Sequence, residues 1–225
     1  MNNSMSVDDA IRSRRSVRGF LPKEVPQAEL DHVFTLAQWA PSNCNVQLWV
    51  PHVVSGPALQ RLGQALVQAA ANDLPLAPDW PADGKYHGVY RDRQFDAAAQ
   101  LYGAMGVKRK DMAARKVAYL RNQACFDAPH AVFMFMQKPF DARESTDLGI
   151  YAQTLMLALT ARGIASCAQG ALALYPPIVR EHLGVSDDYR LMFGISFGYE
   201  DPRVPANSAR VGRASLEEAV VFHRD

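Results

Sequence analysis

The chain has 225 residues, of which 48% are hydrophobic and 21% are charged, and its formal net charge is only +1. This composition is typical of a globular protein, and we expect a single domain spanning residues 1–225. The near-zero net charge argues against nucleic-acid or membrane-surface partners, since either needs a basic excess over a whole face. No apolar run approaches the ~18 residues of a membrane span, and no signal-peptide core opens the chain.

The three cysteines and six histidines predict neither disulfides nor a metal site. The cysteines are odd in number and lack metal or redox spacing, and no two histidines stand at ligand spacing. A protein of this kind is expected in the reducing cytoplasm.

The first third of the chain predicts two helices, an edge strand and a third helix. Ser6 begins a capping-box pattern at the start of a short helix. Apolar residues at helical spacing then mark a second helix between Pro26 and Pro41. Residues 48–56 predict a strand, and Pro51 places it at an edge or a bulge. A leucine-rich helix follows.

The middle and end of the chain alternate helical and extended patterns. Residues 74–90 contain three prolines and no usable period, so we expect an irregular surface excursion. Residues 91–123 are helical in composition and very basic around "VKRKDMAARK". The continuous apolar run at 130–137 predicts a buried strand. Residues 190–199 alternate bulky with mostly small side chains, which predicts a strand with one face open to close approach.

The segment "DLGIYAQTLMLALTARG" predicts a helix that is apolar nearly all round and ends near Gly163. A helix without a polar face must be covered on every side. Two alternatives stay open for its seam, which either contacts a second copy of the chain or lies in the monomer core. The seam consists of Leu148, Ala152, Leu155 and Leu159.

One common catalytic motif is present, the G-x-S-x-G formed by Gly194, Ser196 and Gly198. Asp201 and His223 follow it in the chain order of a serine hydrolase. However, the strand alternation runs straight through the serine, without the turn into a helix that a nucleophile elbow needs. The hydrolase is therefore a minor alternative.

Residues 11–20, "IRSRRSVRGF", hold four arginines in a chain that is nearly neutral overall. Guanidinium groups match phosphate oxygens in both geometry and charge, so the cluster suits a phosphate-bearing ligand. A solvated surface charge is the alternative, above all for Arg12.

Four segments taken together resemble the FMN-dependent nitroreductase family. They are "RSRRSVRGF", "WAPSNCNVQLW", "GIASCAQGAL" and "NSARVGRASLEE", and the resemblance covers almost the whole chain. It implies an α+β fold with a mixed, mainly antiparallel central sheet flanked by helices. It also implies an intertwined homodimer with flavin sites at the subunit interface. One departure is Leu48, where family members usually have proline.

The resemblance also implies the residues that bind FMN. Arg18 falls near the pyrimidine edge of the flavin, where a cation raises the reduction potential. Short polar side chains of the second segment suit the ribityl chain and ring edge, although a simple turn is the alternative. Main-chain amides of the third segment would hold the flavin near N5. The implied phosphate ligands are Arg14, Arg15, Ser16, Arg210 and Arg213; the other implied contacts are Ser42, Asn43, Asn45, Gln47, Ala168, Gln169 and Gly170.

The implied reaction is ping-pong. NADH or NADPH reduces FMN and leaves, and the reduced flavin then passes electrons to a small aromatic acceptor, either a nitroaromatic or a quinone. No catalytic side chain is expected, since the flavin carries the hydride. Other reductive chemistry within the same family, such as dehalogenation or alkene reduction, is the alternative.

Overall fold

The computed structural model describes residues 5–80 and 85–224. Four strands form one sheet, and helices cover both of its faces. In chain order the elements are α1 (Val7–Ser13), α2 (Gln27–Ala37), β1 (Val50–Ser55), α3 (Gly56–Ala71), α4 (Val89–Ala104), α5 (Met112–Gln123), β2 (His130–Gln137), α6 (Ser145–Ala161), β3 (Ala165–Gln169), α7 (Pro176–Leu183), β4 (Tyr189–Gly198) and α8 (Leu216–Ala219).

The sheet has the order β1-β2-β4-β3, and all three strand pairs are antiparallel. The α+β fold with an antiparallel sheet is therefore confirmed. The sheet was expected to be mixed. Within the described residues, parallel pairing is limited to one isolated bridge between Ser16 and Ser166. Strand β1 lies at an edge, as Pro51 predicted, since proline cannot donate to a ladder on both sides.

Strand β2 divides its side chains between two apolar cores. Val132 and Met134 face the core built with α2 and α6. Phe133 and Phe135 face the core built with α3 and α7. Because both faces are covered, the strand is a continuous apolar run, which is why the sequence predicted it correctly.

The small face of β4 allows close approach, as its pattern predicted. A Cβ atom added at Gly194 would lie 2.6 Å from the Leu172 side chain, and one at Gly198 would lie 2.7 Å from Pro129. Neither contact leaves room for a larger residue, so the glycines are required by packing.

Helix α6 buries its seam within the monomer. Leu148, Leu155 and Leu159 have no exposed surface and lie in the core beside α2. Of the two alternatives, the monomer core is confirmed, and self-contact through this seam is wrong. A second, uncharged face of α6, which includes Gly149 and Ile150, remains exposed.

The structure departs from the predicted elements at several places. Strand β3 and helices α7 and α8 were not predicted. The basic stretch 91–123 is two helices, α4 and α5, rather than one. The irregular excursion ends where α4 begins, and residues 81–84 within it lie outside the described residues. In the parts of the chain that are described, no helix has the length and apolar character needed to cross a membrane.

His130 joins the sheet to the loop before α2. Its ring is buried, accepts a hydrogen bond at Nε2 from the Val25 amide (2.9 Å) and lies 2.6 Å from Ser55 Oγ through Nδ1. Because Nε2 accepts a hydrogen bond, the ring is neutral with its proton on Nδ1. Burial lowers the pKa of His130, against a smaller opposing effect of Glu24.

We therefore expect stability to fall on acidification. The unfolded chain protonates this histidine near its ordinary pKa of 6.5, whereas the folded chain binds the proton only at lower pH. The contribution of neutral His130 is complete above about pH 6.5 and is lost as the pH falls toward the lower, folded pKa. Urea unfolding between pH 7.5 and 5 measures this. His130→Gln should flatten the pH profile, while the exposed His223→Gln leaves it unchanged; equal profiles for all three proteins would contradict the assignment.

Candidate functional site

The two ends of the chain meet at a cavity of about 750 Å³, called here the arginine cavity. It lies between the end of α1, the segment that follows, α4 and the C-terminal segment. Among the described residues that line it, none is acidic. The lining side chains are Ile11, Arg12, Ser13, Arg14, Arg15, Ser16, Arg18, Ala97, Leu101, Ala209, Arg210, Val211 and Arg213. The structure thus brings together all six predicted phosphate-site and pyrimidine-edge residues.

Backbone contacts hold the arginine segment against the end of the sheet. The Val17 amide donates to the Ser166 carbonyl at 3.0 Å, at the start of β3. On its other side the segment packs against Val204 so closely that a Cβ at Gly19 would lie 2.5 Å from that side chain. Only glycine permits this approach, so the "RGF" of the motif is explained by packing.

Asn207 ties the C-terminal segment to the arginine segment. The side chain is buried; its Oδ1 accepts from the Arg18 amide (2.7 Å), and its Nδ2 donates to the carbonyls of Gly19 and Asp201 (both 2.9 Å). Its own carbonyl accepts from Arg15 at 2.9 Å. No local sequence pattern indicates a role for Asn207, although it begins the segment "NSARVGRASLEE".

The arginines of the cavity differ in their partners. Arg15 forms an ion pair with Glu200 in addition to its bond to Asn207, so it fastens the cavity wall. The guanidinium of Arg14 makes no hydrogen bond or ion pair with any described residue, and no acidic side chain appears among the described lining of the cavity. Arg18 donates to the Ser16 carbonyl at 3.2 Å. Arg14 is therefore the guanidinium most available to a ligand.

Arg210 and Arg213 lie on the outer rim of the arginine cavity. Arg210 donates to the Asn207 and Ala209 carbonyls (2.8 and 2.9 Å), and Arg213 donates to the Gly212 carbonyl at 2.8 Å. Both side chains are exposed, so each can turn toward an anion at little cost.

Neither buried cysteine is a nucleophile. Burial raises the pKa of Cys125 to about 12. Burial also raises the pKa of Cys167, although Arg18, Ser16 and Arg14 act in the opposite direction. Both side chains are thiols at neutral pH, which leaves the cavity without a thiolate.

The turn at the end of β3 contains the residues whose main-chain amides are expected to contact the flavin, namely Ala168, Gln169 and Gly170. The side chain of Gln169 is buried and donates to the Asn122 carbonyl and Oδ1 (2.8 and 2.6 Å). Gly170, which follows, is exposed, and a Cβ there would meet nothing within 4 Å. Ala168 is also exposed. The turn therefore presents its backbone to open space, while the glutamine side chain anchors it from below.

The hydrolase alternative is wrong. Ser196 lies within β4, has no exposed surface, and donates its hydroxyl proton to Gln169 Oε1. Asp201 is paired with Arg203, and His223 is exposed near the end of the chain. The three residues form no triad, because the serine faces the interior of the fold.

Residues 42–47 form a tight loop with exposed polar side chains. Cys44, Asn45 and Gln47 all have positive φ (49°, 57° and 52°), which is uncommon for residues other than glycine. The Gln47 amide donates to Ser42 Oγ at 2.9 Å, and the Asn43 amide donates to the buried Asp147 carboxylate at 3.0 Å. Such strain persists only where the surroundings enforce it, and it is common at ligand sites.

Within one chain, the loop at 42–47 and the arginine cavity lie near opposite ends of α6. Asp147, which holds the loop, is in the first turn of the helix, while Ser166, which holds the arginine segment, follows its last turn. From Asp147 to Ala161 the helix rises about 21 Å. No described residue of the loop lines the arginine cavity.

Comparison with known proteins identifies the family. Residues 11–199 match the sequence model described as the nitroreductase family. The chain belongs to the nitroreductase family. The predicted resemblance is thereby confirmed.

Two relatives within the nitroreductase family align over nearly the whole chain. It is 42% identical to nitroreductase NfnB of Mycolicibacterium smegmatis over 98% of this chain and 94% of that protein. It is 32% identical to nitrobenzene nitroreductase of Ectopseudomonas oleovorans over 99% of each. A crystal structure of the FMN-dependent nitroreductase NfnB from Mycobacterium smegmatis with NADPH superposes with a TM-score of 0.93, covering 96% of this chain and 97% of that one.

Replacing Asn207 by alanine should destabilise the protein. The change removes three side-chain hydrogen bonds and takes from the Arg18 amide its Asn207 acceptor, at a cost of about 2 to 4 kcal/mol. Urea unfolding at fixed protein concentration measures the loss. The neighbouring exposed Ser208→Ala, which loses one bond to the Pro205 carbonyl, is the matched control and should cost about 0.5 kcal/mol or less. Equal stabilities of the two variants would refute the role of Asn207.

Proposed function

We propose that this protein is an oxidoreductase that uses NADPH or NADH to reduce bound FMN and then a nitroaromatic or quinone. The main support for the proposal is the arginine cavity, which gathers basic groups from both ends of the chain. At its centre the Arg14 guanidinium has no hydrogen-bond or ion-pair partner among the described residues. Two similar proteins, described as an FMN-dependent nitroreductase bound to NADPH and a nitrobenzene nitroreductase, support the same assignment.

The residues fit the phosphate of FMN. Arg14 and the Ser16 hydroxyl would bind its oxygens, and Arg210 and Arg213 can close over it from the rim. Arg15 would act indirectly, by holding the wall through Glu200. The absence of acids among the described lining residues leaves nothing to repel a dianion.

The rest of the flavin would extend from the phosphate toward Gly170. The open space beside this residue allows the flavin to approach the backbone amides of Gln169 and Gly170. Bound FMN would supply the redox chemistry, accepting a hydride from the nicotinamide and delivering it to the acceptor. The chain's own part is to position the ring and, through the Arg18 cation, to favour its anionic reduced form.

Among the described residues that line the arginine cavity, none is placed to act as a nucleophile or general base, so donor and acceptor need only reach the same face of the flavin ring. One site serves both in turn, which favours ping-pong kinetics. Dehalogenation or alkene reduction uses the same donor half-reaction and is the second candidate; turnover with a panel of acceptors distinguishes it.

The free thiols of Cys44, Cys125 and Cys167 suit the cytoplasm.

The chain would act as one domain, residues 1–225, within a homodimer. Its accessible surface is 13655 Å², whereas a compact monomer of this mass exposes about 10,200 Å². The excess, about 3,400 Å² per chain, is enough to supply one subunit's half of an obligate interface, which buries about 2,000 to 5,000 Å² or more over both subunits. Trp39, which follows α2, is 83% exposed in the single chain.

A second copy would also complete the flavin site. Ser42, Asn43, Asn45 and Gln47 lie about 21 Å along α6 from the arginine cavity of their own chain. In an intertwined dimer the loop of one chain can face the arginine cavity of the other. Each site would then take its phosphate ligands from one subunit and its ribityl and ring contacts from the partner.

Arg14→Ala should weaken FMN binding by about 1.5 to 3 kcal/mol, the value of a charge-assisted hydrogen bond. The wild-type protein should be yellow and should oxidise NADPH with a nitroarene, giving parallel double-reciprocal lines. The variant should lose flavin on gel filtration and regain turnover when FMN is added in excess. Fluorescence titration of the apoprotein with FMN measures the affinity.

The matched comparison for Arg14→Ala is Arg12→Ala, which removes an exposed arginine paired with Asp8. It should retain flavin. Undiminished FMN affinity of the Arg14 variant would sink the phosphate assignment. Intersecting kinetic lines would overturn the ping-pong order.

Mixing two variants that each lose flavin on gel filtration tests the shared site. In a dimer of an Arg14→Ala chain with an Asn45→Ala chain, one site receives both intact residues and the other receives neither. Unfolding and refolding the two variants together should therefore restore flavin binding that neither variant has alone. No restoration, with dimers present by sedimentation velocity, would mean that each site belongs to a single chain.

A further inference from the structure

A second cavity, of about 690 Å³, lies between α4 and α5 and is called here the outer cavity. Two aromatic rings, Phe95 and Tyr102, and two cations, Arg109 and Arg115, line it together with small or neutral residues. The described lining contains no Asp or Glu. Aromatic and cationic groups in one cavity suit a ligand that is both aromatic and anionic.

The two arginines have no anionic partner among the described residues. The Arg115 guanidinium lies 4.7 Å from the centroid of the Tyr102 ring, a cation–π contact that leaves its edge free to donate. Arg109 makes no hydrogen bond or ion pair with any described residue and is exposed. Both belong to the basic segment "VKRKDMAARK" at 107–116. None of the described lining residues of the arginine cavity comes from this segment.

The outer cavity lies next to the proposed flavin site. A small cleft of about 130 Å³ shares Arg18 with the arginine cavity and Tyr102 with the outer cavity. At the other end of α5, Gln123 Nε2 donates to the Ala171 carbonyl at 3.3 Å, next to Gly170. Arg115 lies about two turns earlier in α5, roughly 12 Å from that point along the helix.

The distance between Arg115 and the flavin site indicates which reactant could reach the outer cavity. A single-ring acceptor that reacts beside Gly170 is too short to touch Arg115 at the same time. A nicotinamide dinucleotide is long enough, and its far end is an adenine ring. In NADPH, but not in NADH, that end also carries a 2′-phosphate.

We propose that the outer cavity binds the 2′-phosphoadenosine end of NADPH and makes the enzyme prefer NADPH over NADH. Adenine would stack on Tyr102 and Phe95, and the 2′-phosphate would lie between Arg109 and Arg115. This inference rests on the proposed function, because it assigns the electron donor of that same site.

The test compares Arg109→Gln and Arg115→Gln with Lys116→Gln. Lys116 follows Arg115 in α5 but points away from the outer cavity, toward the Ala71 carbonyl and Asp73. Each arginine variant should lower the ratio of kcat/KM for NADPH to that for NADH by about 10-fold or more, the effect of one charge-assisted hydrogen bond. Lys116→Gln should leave the ratio unchanged.

Calorimetry on the flavin-loaded protein separates this inference from the proposed function. Adenosine 2′,5′-bisphosphate should bind at least about 10-fold more tightly than 5′-AMP, because 5′-AMP lacks the 2′-phosphate that would contact the two arginines. Arg109→Gln should remove this difference in affinity. Equal binding of the two nucleotides, or an arginine variant whose only effect is a raised KM for an anionic nitroarene, would overturn the inference and leave the reductase intact. Absent turnover with preserved nucleotide discrimination would instead refute the reductase.

Discussion

The side chain of Asn207 is the interaction on which the candidate site depends. It bonds to three peptide groups, from Arg18, Gly19 and Asp201, and so joins segments that are almost the whole chain apart. Its carbonyl then receives Arg15 and Arg210. An amide is suited to this task, because one side chain supplies both an acceptor and two donors without bringing charge into a buried place. Because a neutral residue fixes the backbone that carries Arg18, this anchoring adds no acidic side chain to the described lining of the arginine cavity.

The division of labour among the arginines follows from this arrangement. A cluster of like charges repels itself, and a protein reduces that cost by pairing some members and leaving others to the ligand. Glu200 neutralises Arg15 at the wall of the cavity, whereas Arg14 keeps its charge toward the open side. Two arginines next to each other in sequence thus differ in their surroundings, since Arg15 is held in the wall by Glu200 and the Arg14 guanidinium has no partner among the described residues.

Much of the fold could be predicted from the sequence, because its main elements bury one or two faces and their periodicity records this. Strand β2 matched its predicted bounds, since a strand covered on both sides is a continuous apolar run. Strand β3 could not be predicted, because Ala-Ser-Cys-Ala-Gln has neither alternation nor β-branched side chains. Helix α7 was missed although its short sequence carries signals, namely the proline pair at 176–177, the apolar Val179 and Leu183 four residues apart, and the left-handed Gly184 at its end.

The site was predicted less completely. Local spacing revealed the arginines of residues 11–20, but only the family resemblance linked them to Arg210 and Arg213. Asn207 was missed because its role consists of contacts to residues far away in sequence, which no local pattern records. The distance between the loop at 42–47 and the arginine cavity is likewise set by the length of α6, not by anything in the loop itself.

Residues of helix α4 can be substituted to alter the walls of the two cavities without disturbing the packing of the fold. None of its side chains is buried within the chain, yet it lines both the arginine cavity and the outer cavity. Substitutions there change the wall of the cavities without opening voids in either apolar core, so they avoid the largest source of mutational instability. Within this chain, new ligand preferences can therefore accumulate on α4 while the sheet and its two cores remain unchanged.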